Sequence, residues 1–418
     1  MCVDYSTHFF IVKYWYFFYD IVKLYKKGMR KIEIVKNLDK KKKIIFSIII
    51  IVLLLIIVMV SLYLSEKGFR EWIDAHILRK NITDEDIQTI NLNTDKSNQI
   101  HVYGKYIAIL NDKVITLYNS YGEKVSQIDN IDFNTALFAS SDKYLAIAED
   151  KGHEICLILD KTYLWNTAIE GRILQIHVNQ NGYVAVVTTD VTNKSIITCY
   201  NSEGKKLFTS YFATTTIIDA CISNDNKNIV IGEVDTSGTI IKSSVKVLSI
   251  ENAQKDAENT IVYKYDLEDN SLLTNVQYHD KNQISFVYDN GIGVITNNEY
   301  KQIVKIDNEN ITYTANNFKN NVIYISEENA GMFKSISNIH IVNVSDSNEN
   351  IIKIENTAKE VYAIDNKISI NSGSEIYFIN TNGWLIKKYT ANQEITNVKM
   401  SNNLAAIIYK DKIVIVEI

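Results

Sequence analysis

The chain has 418 residues, of which 46% are hydrophobic and 22% are charged, with 15 Gly, no Pro and 4 Cys. This composition excludes a largely disordered chain, a collagen-like or Pro-rich chain and a disulfide scaffold. The net charge of −5 hides an asymmetry, because residues 1–43 carry 11 basic and 4 acidic side chains. Residues 65–418 carry 33 basic and 45 acidic side chains. We expect no nucleic-acid partner for so acidic a body.

The first 28 residues contain an aromatic run, Phe9–Phe18, which Lys13 interrupts. This segment is either an interfacial helix or an artefact of start-site choice. Met29 begins a lead, MRKIEIVKNLDKKKK, of the kind that precedes a membrane anchor. We therefore favour Met29 as the natural start, and we interpret residues 1–43 as a basic cytoplasmic N-terminus.

Residues 44–64 carry no charge and would extend about 30 Å as a helix, the thickness of a bilayer core. A buried core helix is rarely apolar on every face for this length. A cleavable signal peptide would have a shorter apolar stretch followed by small residues, whereas bulky Leu62-Tyr63-Leu64 precedes Ser65-Glu66-Lys67. The sequence thus predicts an uncleaved transmembrane helix. Lys36 and Lys40–Lys43 precede it, which places the N-terminus in the cytoplasm and the larger C-terminal part outside a single-pass cell-membrane protein.

Residues 65–85 are predicted to form a juxtamembrane helix and a linker, with the helix over Phe69–Asn81. Four apolar side chains fall near one face of this helix at helical spacing: Phe69, Trp72, Ile73 and Ile77. Trp72 either rests at the membrane interface or belongs to a plain spacer helix, and we favour the spacer. Thr83–Asp86 ends the linker.

A four-strand unit recurs over residues 86–418. Its clearest landmark is a short apolar strand after a polar turn, which occurs at Lys105–Ile109, Lys143–Ile147, Gly182–Val186, Asn228–Ile231, Gln283–Val287, Asn321–Ile325, Asn366–Ile370 and Asn403–Ile407. The spacing of about 37 to 55 residues is typical of four-stranded propeller blades. The sequence therefore predicts an all-β fold, a β-propeller of four-stranded blades.

The two ends of the repeat predict how the propeller closes. The last unit, from Asn403 to Ile418, has only two strands, whereas two spare strands, Ile87–Leu92 and Gln99–Tyr103, precede the first unit. Joining these pairs completes one blade and removes exposed strand edges. Seven internal units and this shared blade give eight blades. Seven blades would result if one weak unit, 228–282 or 283–320, is an insertion.

Two kinds of connection stand out between the predicted strands. An Asn-x-x-Gly turn follows an apolar strand at Asn119–Gly122, Asn201–Gly204 and Asn380–Gly383. Asn and Gly tolerate the positive φ that a tight hairpin needs. The polar stretch 251–259 is interpreted as a surface loop or a short helix.

An N-terminal anchor, a basic lead and an extracytoplasmic propeller resemble the membrane-anchored PQQ-like or WD40-like propeller proteins of clostridia and related low-GC Gram-positive bacteria. The stretches FREWIDAHILRKNITDEDI, VNQNGYVAVV and ISNDNKNIVIGEVDTSGTI carry this resemblance, which covers residues 29–418. It implies a fold and a topology but no activity. Quinoprotein blades typically end in Gly-Lys-x-x-Trp, whereas Gly204-Lys205 lacks the Trp and Trp384 follows Gly383 directly. These departures argue against quinone binding.

The sequence contains no phosphate-binding loop, no Gly-rich nucleotide fingerprint, no CxxC or HExxH metal motif and no G-x-S-x-G elbow. Its cysteines are scattered, at Cys2, Cys156, Cys199 and Cys221. The last three lie on predicted strands and are expected to be buried as small apolar side chains. A Cys199–Cys221 disulfide is an alternative that the geometry would have to permit.

Three histidines, His101, His177 and His279, fall near the ends of the fourth strands of three predicted blades. Equivalent positions of distant blades lie on opposite sides of a wide channel, so we expect ordinary histidines rather than a metal site. Three carboxylates near blade starts could do acid–base work or bind Ca²⁺, but solvated turn residues are favoured: Asp219, Glu233 and Asp235. We expect no catalytic residue, no metal and no cofactor.

The absence of a reaction motif favours a non-catalytic platform in the cell envelope, with a propeller face that binds a protein or a cell-wall polymer. The alternative is an extracytoplasmic quinoprotein-like enzyme or a ligand-binding sensor. A sensor would need a partner for its output, because 43 cytoplasmic residues are too few for an enzymatic domain. An enzyme is the less favoured interpretation because no reaction motif is present, although fold alone does not settle function.

Overall fold

The computed structural model describes residues 40–78, 80–94, 97–256, 259–268, 270–279, 282–306, 314–315, 319–329, 335–355 and 357–418. The predictions for Cys2, for the aromatic run and for a start at Met29 therefore lie outside the described residues. The chain divides into two compact units after Arg79, and each unit is described by itself.

The first unit contains two helices, α1 (Lys40–Ser65) and α2 (Lys67–His76). Ile44–Ser65 is long and apolar enough to cross a membrane, a property that signal sequences share. The predicted apolar helix is thus confirmed. The juxtamembrane helix was expected to reach Asn81 but ends at His76, because the chain from Lys80 onward is extended and pairs with Lys388 of the second unit's sheets.

The second unit begins with a 3₁₀ turn at Asp84–Asp86 and β1 (Ile87–Asn91). Four antiparallel sheets of consecutive strands follow. Sheet 1 contains β2 (Gln99–Tyr103), β3 (Tyr106–Asn111), β4 (Val114–Tyr118) and β5 (Lys124–Ile128). Sheet 2 contains β6 (Ala136–Ser141), β7 (Tyr144–Glu149), β8 (Glu154–Leu159) and β9 (Thr162–Ala168). Sheet 3 contains β10 (Arg172–Val178), β11 (Val184–Thr189), β12 (Ser195–Tyr200) and β13 (Lys206–Phe212). Sheet 4 contains β14 (Thr215–Ile222), β15 (Asn228–Asp235), β16 (Lys242–Ser249) and β17 (Ile261–Asp266).

Four more sheets complete the described fold. A short helix, α3 (Ile250–Lys255), precedes β17 and realises the predicted polar insertion as a helix. Sheet 5 contains β18 (Leu273–Tyr278), β19 (Gln283–Tyr288), β20 (Gly291–Thr296) and β21 (Glu299–Lys305). Sheet 6 contains β22 (Thr314–Ala315), β23 (Asn321–Asn329), β24 (Ser335–Asn343) and β25 (Glu349–Ile354). Sheet 7 contains β26 (Glu360–Ile364), β27 (Lys367–Asn371), β28 (Glu375–Asn380) and β29 (Leu385–Thr390). The closing sheet contains β30 (Asn397–Met400), β31 (Leu404–Ile408), β32 (Lys412–Glu417) and β1.

The eight-bladed β-propeller and its closure by both ends of the repeat are confirmed. The composition of the closing blade was wrong, because one N-terminal strand joins three C-terminal strands rather than two joining two. Gln99–Tyr103 forms the first strand of sheet 1 through the two-residue turn Gly104-Lys105. The missing strand is β30, which is short and interrupted by Lys399. Each predicted opening strand is accordingly the second strand of its sheet, and the predicted unit is one strand out of phase.

Hydrophobic clusters fill the spaces between neighbouring sheets, including the space between the closing sheet and sheet 1. In that space Ile90 and Ile413 of the closing sheet meet Val102 and Ile107 of sheet 1. Full burial of one such side chain contributes about 1.5 to 3 kcal/mol before entropy is counted. The second strands are buried on both faces, which explains why they read as continuous apolar runs.

The Asn-x-x-Gly turns join third strands to fourth strands. In one of them, Asn201 Oδ1 accepts hydrogen bonds from Glu203 N at 3.1 Å and Lys205 N at 2.8 Å. Gly204 has a φ of 81°, which L side chains rarely adopt. A Cβ there would also lie 2.8 Å from Cγ of Trp165 in the neighbouring sheet. The glycine therefore serves both the turn and the contact between blades.

Candidate functional site

A cavity of about 1000 Å³ lies where the first strands of the sheets come together. Its walls are built by first strands of seven sheets and by the Lys319-Asn320 turn of sheet 6. The turns between first and second strands surround one end of the cavity. The cavity is therefore the central channel of the propeller, which is a common location for a ligand or partner in a concave site.

In each of seven sheets, the first strand places one residue at the same position in the channel wall. This position is identified from the residue of the second strand with which it pairs. Its occupants, here called the channel ring, are His101, Ala139, His177, Cys221, Gln277, Tyr362 and Lys399. The ring combines imidazole, thiol, amide, phenol and ammonium groups. It has no rotational symmetry, so it presents a different chemistry on each side of the channel.

The side chains two residues before the channel ring connect neighbouring first strands, which share no ladder of backbone hydrogen bonds. Four of them, here called the bridging ring, are Gln99, Gln175, Asp219 and Glu360. Their bonds to the next sheet are Gln99 Oε1 with Ala136 N at 2.6 Å, Gln175 Nε2 with Ile218 O at 2.7 Å, Asp219 Oδ2 with Val276 N at 3.0 Å and Glu360 Oε2 with Val398 N at 3.1 Å. Half-buried polar groups that are hydrogen-bonded in this way fix the spacing of the elements that they join.

The rim of the channel contains carboxamide side chains that are held by hydrogen bonds between blades. Asn179 Nδ2 donates to Ser223 O at 3.0 Å and to Asn226 Oδ1 at 2.6 Å. Asn181 Nδ2 donates to Asn224 O at 2.7 Å and to Asn226 Oδ1 at 3.1 Å. These bonds hold the turns of sheets 3 and 4 together at the mouth of the channel, where the side chain of Asn224 is exposed.

Among the residues that the structure describes, the charges that line the channel balance. The lining includes four lysines, Lys105, Lys143, Lys319 and Lys399, and four aspartates, Asp142, Asp160, Asp219 and Asp365. A channel of one sign would concentrate oppositely charged ligands. The balanced lining instead favours a polar partner of low net charge.

The three predicted histidines all line this channel. They were expected in fourth strands, but His101 and His177 lie in first strands and His279 directly follows one. The reason is the phase error, since the fourth strand of a predicted unit is the first strand of the next sheet. Their nearest polar partners are separate: Ser140 Oγ is 2.8 Å from His101 Nε2, and Ser285 Oγ is 2.6 Å from His279 Nε2.

Burial controls the protonation of the two ring histidines. It lowers the pKa of His101 to about 3, with a further contribution from the charge of Lys399. It also lowers the pKa of His177, against the opposing effect of Asp219, whose Oδ1 lies 3.8 Å from His177 Nε2. Burial raises the pKa of Asp219, while His177 and two backbone N–H groups oppose this. Both imidazoles are therefore neutral at physiological pH.

The three predicted carboxylates do not meet. Glu233 is buried in sheet 4, where Lys246 Nζ lies 2.5 Å away and the hydroxyls of Thr215 and Ser244 each donate at 2.8 Å. Asp235 accepts from Ser237 N at 2.8 Å in a surface turn. The expectation of a solvated turn residue was thus wrong for Glu233 and for Asp219, which hold neighbouring strands together. Among the residues that the structure describes, His, Cys, Asp and Glu form no group of three that could hold a metal ion.

The three described cysteines are separate thiols, so the alternative of a Cys199–Cys221 disulfide is not realised. Cys156 and Cys199 are buried in the sheets as predicted, whereas Cys221 belongs to the channel ring. Burial raises the pKa of all three thiols to about 12. None is a reactive thiolate at neutral pH.

One set of residues in sheet 6 was missed by the sequence reasoning. His340 Nε2 lies 2.8 Å from Ser326 Oγ, and His340 Nδ1 lies 2.8 Å from Glu349 Oε1. Tyr324 stacks on the His340 ring at 4.1 Å and donates to Glu349 at 2.8 Å. The order resembles that of a nucleophile, base and orienting acid. Ser326 and His340 are buried, however, and line neither the channel nor the smaller cavity beside Glu349, so the set acts as a structural network.

Solved structures share this fold. BamB from Moraxella catarrhalis has 12% sequence identity and a TM-score of 0.50, with 80% of this chain and 99% of that chain covered. The C-terminal WD40 domain of Sif2 has 12% identity and a TM-score of 0.53, with 79% of this chain and 98% of that chain covered. At this identity the similarity shows the propeller fold and no more.

By sequence, the chain matches a family of unknown function, DUF5711, over residues 78–418, which include the whole propeller. No curated protein matches the sequence. The family match supports the expected resemblance to propeller proteins of unknown function.

Proposed function

This chain belongs to the DUF5711 family of unknown function, and on that premise we propose that it is a membrane-anchored, extracytoplasmic β-propeller that acts as a non-catalytic binding platform in the cell envelope. The clostridial or related Gram-positive origin that the resemblance implies is part of this proposal. The apolar helix α1 would supply the anchor, and the basic residues before it would keep the N-terminus in the cytoplasm.

The observation that carries the binding role is the channel mouth with its four asparagines. Bonds between blades order the side chains of Asn179, Asn181 and Asn226 and hold the Asn224 backbone, so little conformational entropy of these turns would be lost when a partner binds. The lining is charge-balanced, which suits an uncharged polar segment of an envelope protein or of a cell-wall polymer. Loops on a rigid scaffold commonly serve such recognition.

The test is capture of the partner from detergent-solubilised membranes with the tagged full-length chain. Gln180→Trp combined with Asn403→Trp narrows the channel mouth, because both residues are exposed and both line it. Val191→Trp is the matched control, since Val191 is fully exposed in a turn that does not line the channel. We expect one envelope component to be recovered with the wild type and the control and lost with the double variant. Equal recovery with all three chains would refute binding at the mouth.

A second candidate is favoured by the size of the channel. At about 1000 Å³ it could enclose a small ligand, as a ligand-binding sensor or a quinoprotein-like enzyme would require. A thermal-shift screen of quinones, metal ions and glycans separates this candidate from the platform. A saturable stabilisation that Gln180→Trp and Asn403→Trp abolish would favour it.

A further inference from the structure

The junction between α1 and α2 is fixed by side-chain hydrogen bonds rather than by a loose linker. Arg70 Nε donates to Tyr63 O at 3.0 Å, and Arg70 Nη2 donates to Leu64 O at 3.0 Å. One turn further along α2, Asp74 Oδ1 accepts from the Tyr63 hydroxyl at 2.8 Å. Arg70 and Asp74 thus hold the last turn of α1 from one side of α2.

This clamp solves a problem specific to the end of a membrane helix. The last carbonyl groups of any helix lack partners within it, and in lipid each unsatisfied group costs several kcal/mol. Arg70 satisfies two of them, and its positive charge suits the negative end of the helix dipole. Asp74 is only 4% exposed, whereas the Arg70 bonds are exposed.

The side of α2 that carries Phe69 and Trp72 is turned away from the clamp, because Trp72 lies two residues from both Arg70 and Asp74 in a helix with 100° per residue. Phe69 and Trp72 stack with ring centroids 6.5 Å apart. Trp72 is 51% exposed, whereas Ile73 beside it is buried. Only one residue, Glu66, separates α1 from α2, so this face begins where α1 would leave the bilayer.

From these contacts we infer that α2 is an interfacial helix that lies at the lipid surface, with Trp72 in the headgroup region. This rests on the proposed function, since α1 must span the membrane. Amphipathic helices bury an apolar face about 5 to 10 Å into the headgroup boundary, and Trp is enriched at that depth. On this inference α2 is a helix bound at the membrane surface and not the plain spacer helix that the sequence favoured.

The test uses the full-length chain reconstituted into phosphatidylcholine vesicles. The difference between the emission of the wild type and of Trp72→Phe isolates Trp72, and the difference for Trp384→Phe isolates an exposed tryptophan of the propeller as the matched control. We expect lipids brominated near the headgroup end of the acyl chains to lower the Trp72 emission about twofold, as its interfacial depth requires. Aqueous iodide should quench Trp384 and spare Trp72. Iodide quenching of Trp72 equal to that of Trp384, without quenching by brominated lipid, would overturn the inference.

Two further measurements separate the inference from the proposed anchoring. If the chain fails to float with the vesicles after alkaline carbonate washing, α1 does not span the bilayer and both proposals fail. If it floats but Trp72 is accessible only to iodide, the interfacial helix alone fails. Arg70→Ala should keep flotation and increase iodide quenching of Trp72, whereas an unchanged quenching ratio would contradict a role of the clamp in orienting α2.

Discussion

Three buried serine hydroxyls join neighbouring blades, and their removal tests how the ring is held together. They lie in the third strands of sheets 3, 4 and 6, and each accepts the backbone N–H of a residue at the start of the next sheet. The bonds are Ile217 N to Ser195 Oγ at 2.9 Å, Leu273 N to Ser243 Oγ at 3.2 Å and Ala358 N to Ser337 Oγ at 2.8 Å. Ser243 also donates to Ser271 O at 2.7 Å.

The expected cost follows from what each substitution leaves behind. Ser→Ala at any of the three sites leaves a buried N–H without its partner, which costs about 1 to 3 kcal/mol of unfolding free energy. Ser243→Ala also leaves the Ser271 carbonyl oxygen without its hydrogen-bond donor, so its effect should be the largest. The volume change is one oxygen atom, and packing terms are therefore small beside the lost hydrogen bond.

Urea unfolding of the full-length protein in detergent, followed by tryptophan emission, measures the effect. Trp165 reports on the contact between sheets 2 and 3, because its Nε1 donates to Ser202 O at 3.1 Å. Ser210→Ala is the matched control, since its buried hydroxyl has no partner among the described residues, and it should leave the midpoint unchanged or raise it. The reasoning fails if Ser195→Ala and Ser337→Ala unfold at the wild-type midpoint, or if Ser210→Ala is equally destabilised.

Three further predictions concern closure, pH and thiols. Ile90→Asp places a charge in the apolar contact of β1 with sheet 1, so we expect an opened closing blade and aggregation on size exclusion; a monomeric, wild-type elution would contradict this. Because the folded pKa of His101 is about 3 and the unfolded value is about 6.5, only the unfolded chain gains this proton between those values. Stability should therefore fall by up to about 1.4 kcal/mol per pH unit below pH 6.5, and His101→Asn should flatten that slope in urea titrations. Cys156, Cys199 and Cys221, with pKa values near 12, should react with iodoacetamide at pH 8 only after unfolding, as peptide mass spectrometry would show; rapid alkylation of native Cys221 would refute this.

The repeat was visible in the sequence because of the second strands. Ile107–Ile109, Val184–Val186 and Ile229–Ile231 are buried on both faces, so similar constraints act on every blade and produce similar apolar runs. Eight such runs gave the correct blade number. They also placed the start of each predicted unit one strand too late. The first strand of the closing sheet, β30, was not recognised because it is only four residues long and contains Lys399.

The site was less predictable because its residues face water and one another. His101, Cys221 and Gln277 occupy the same position in three sheets, yet no similarity of side chain reveals this. A signal was nevertheless present. Counting back from each second strand aligns Gln175-Ile176-His177-Val178 with Gln99-Ile100-His101-Val102, and the first residue of each stretch bridges to the next sheet.

The difference between these two sets of positions indicates where binding specificity resides. Positions buried between sheets are constrained by packing, because removing one methylene there costs stability, and most of them are Ile, Val, Leu or Ala. The channel ring holds seven positions with six kinds of side chain, and His101 and Cys221 among them also bond to the next sheet. The bridging ring and the serine hydroxyls supply hydrogen bonds between blades that do not involve the channel ring. The bonds that join the blades thus lie largely at other positions, and under the proposed function the unlike groups of the channel ring would present a different surface to a partner on each side of the channel.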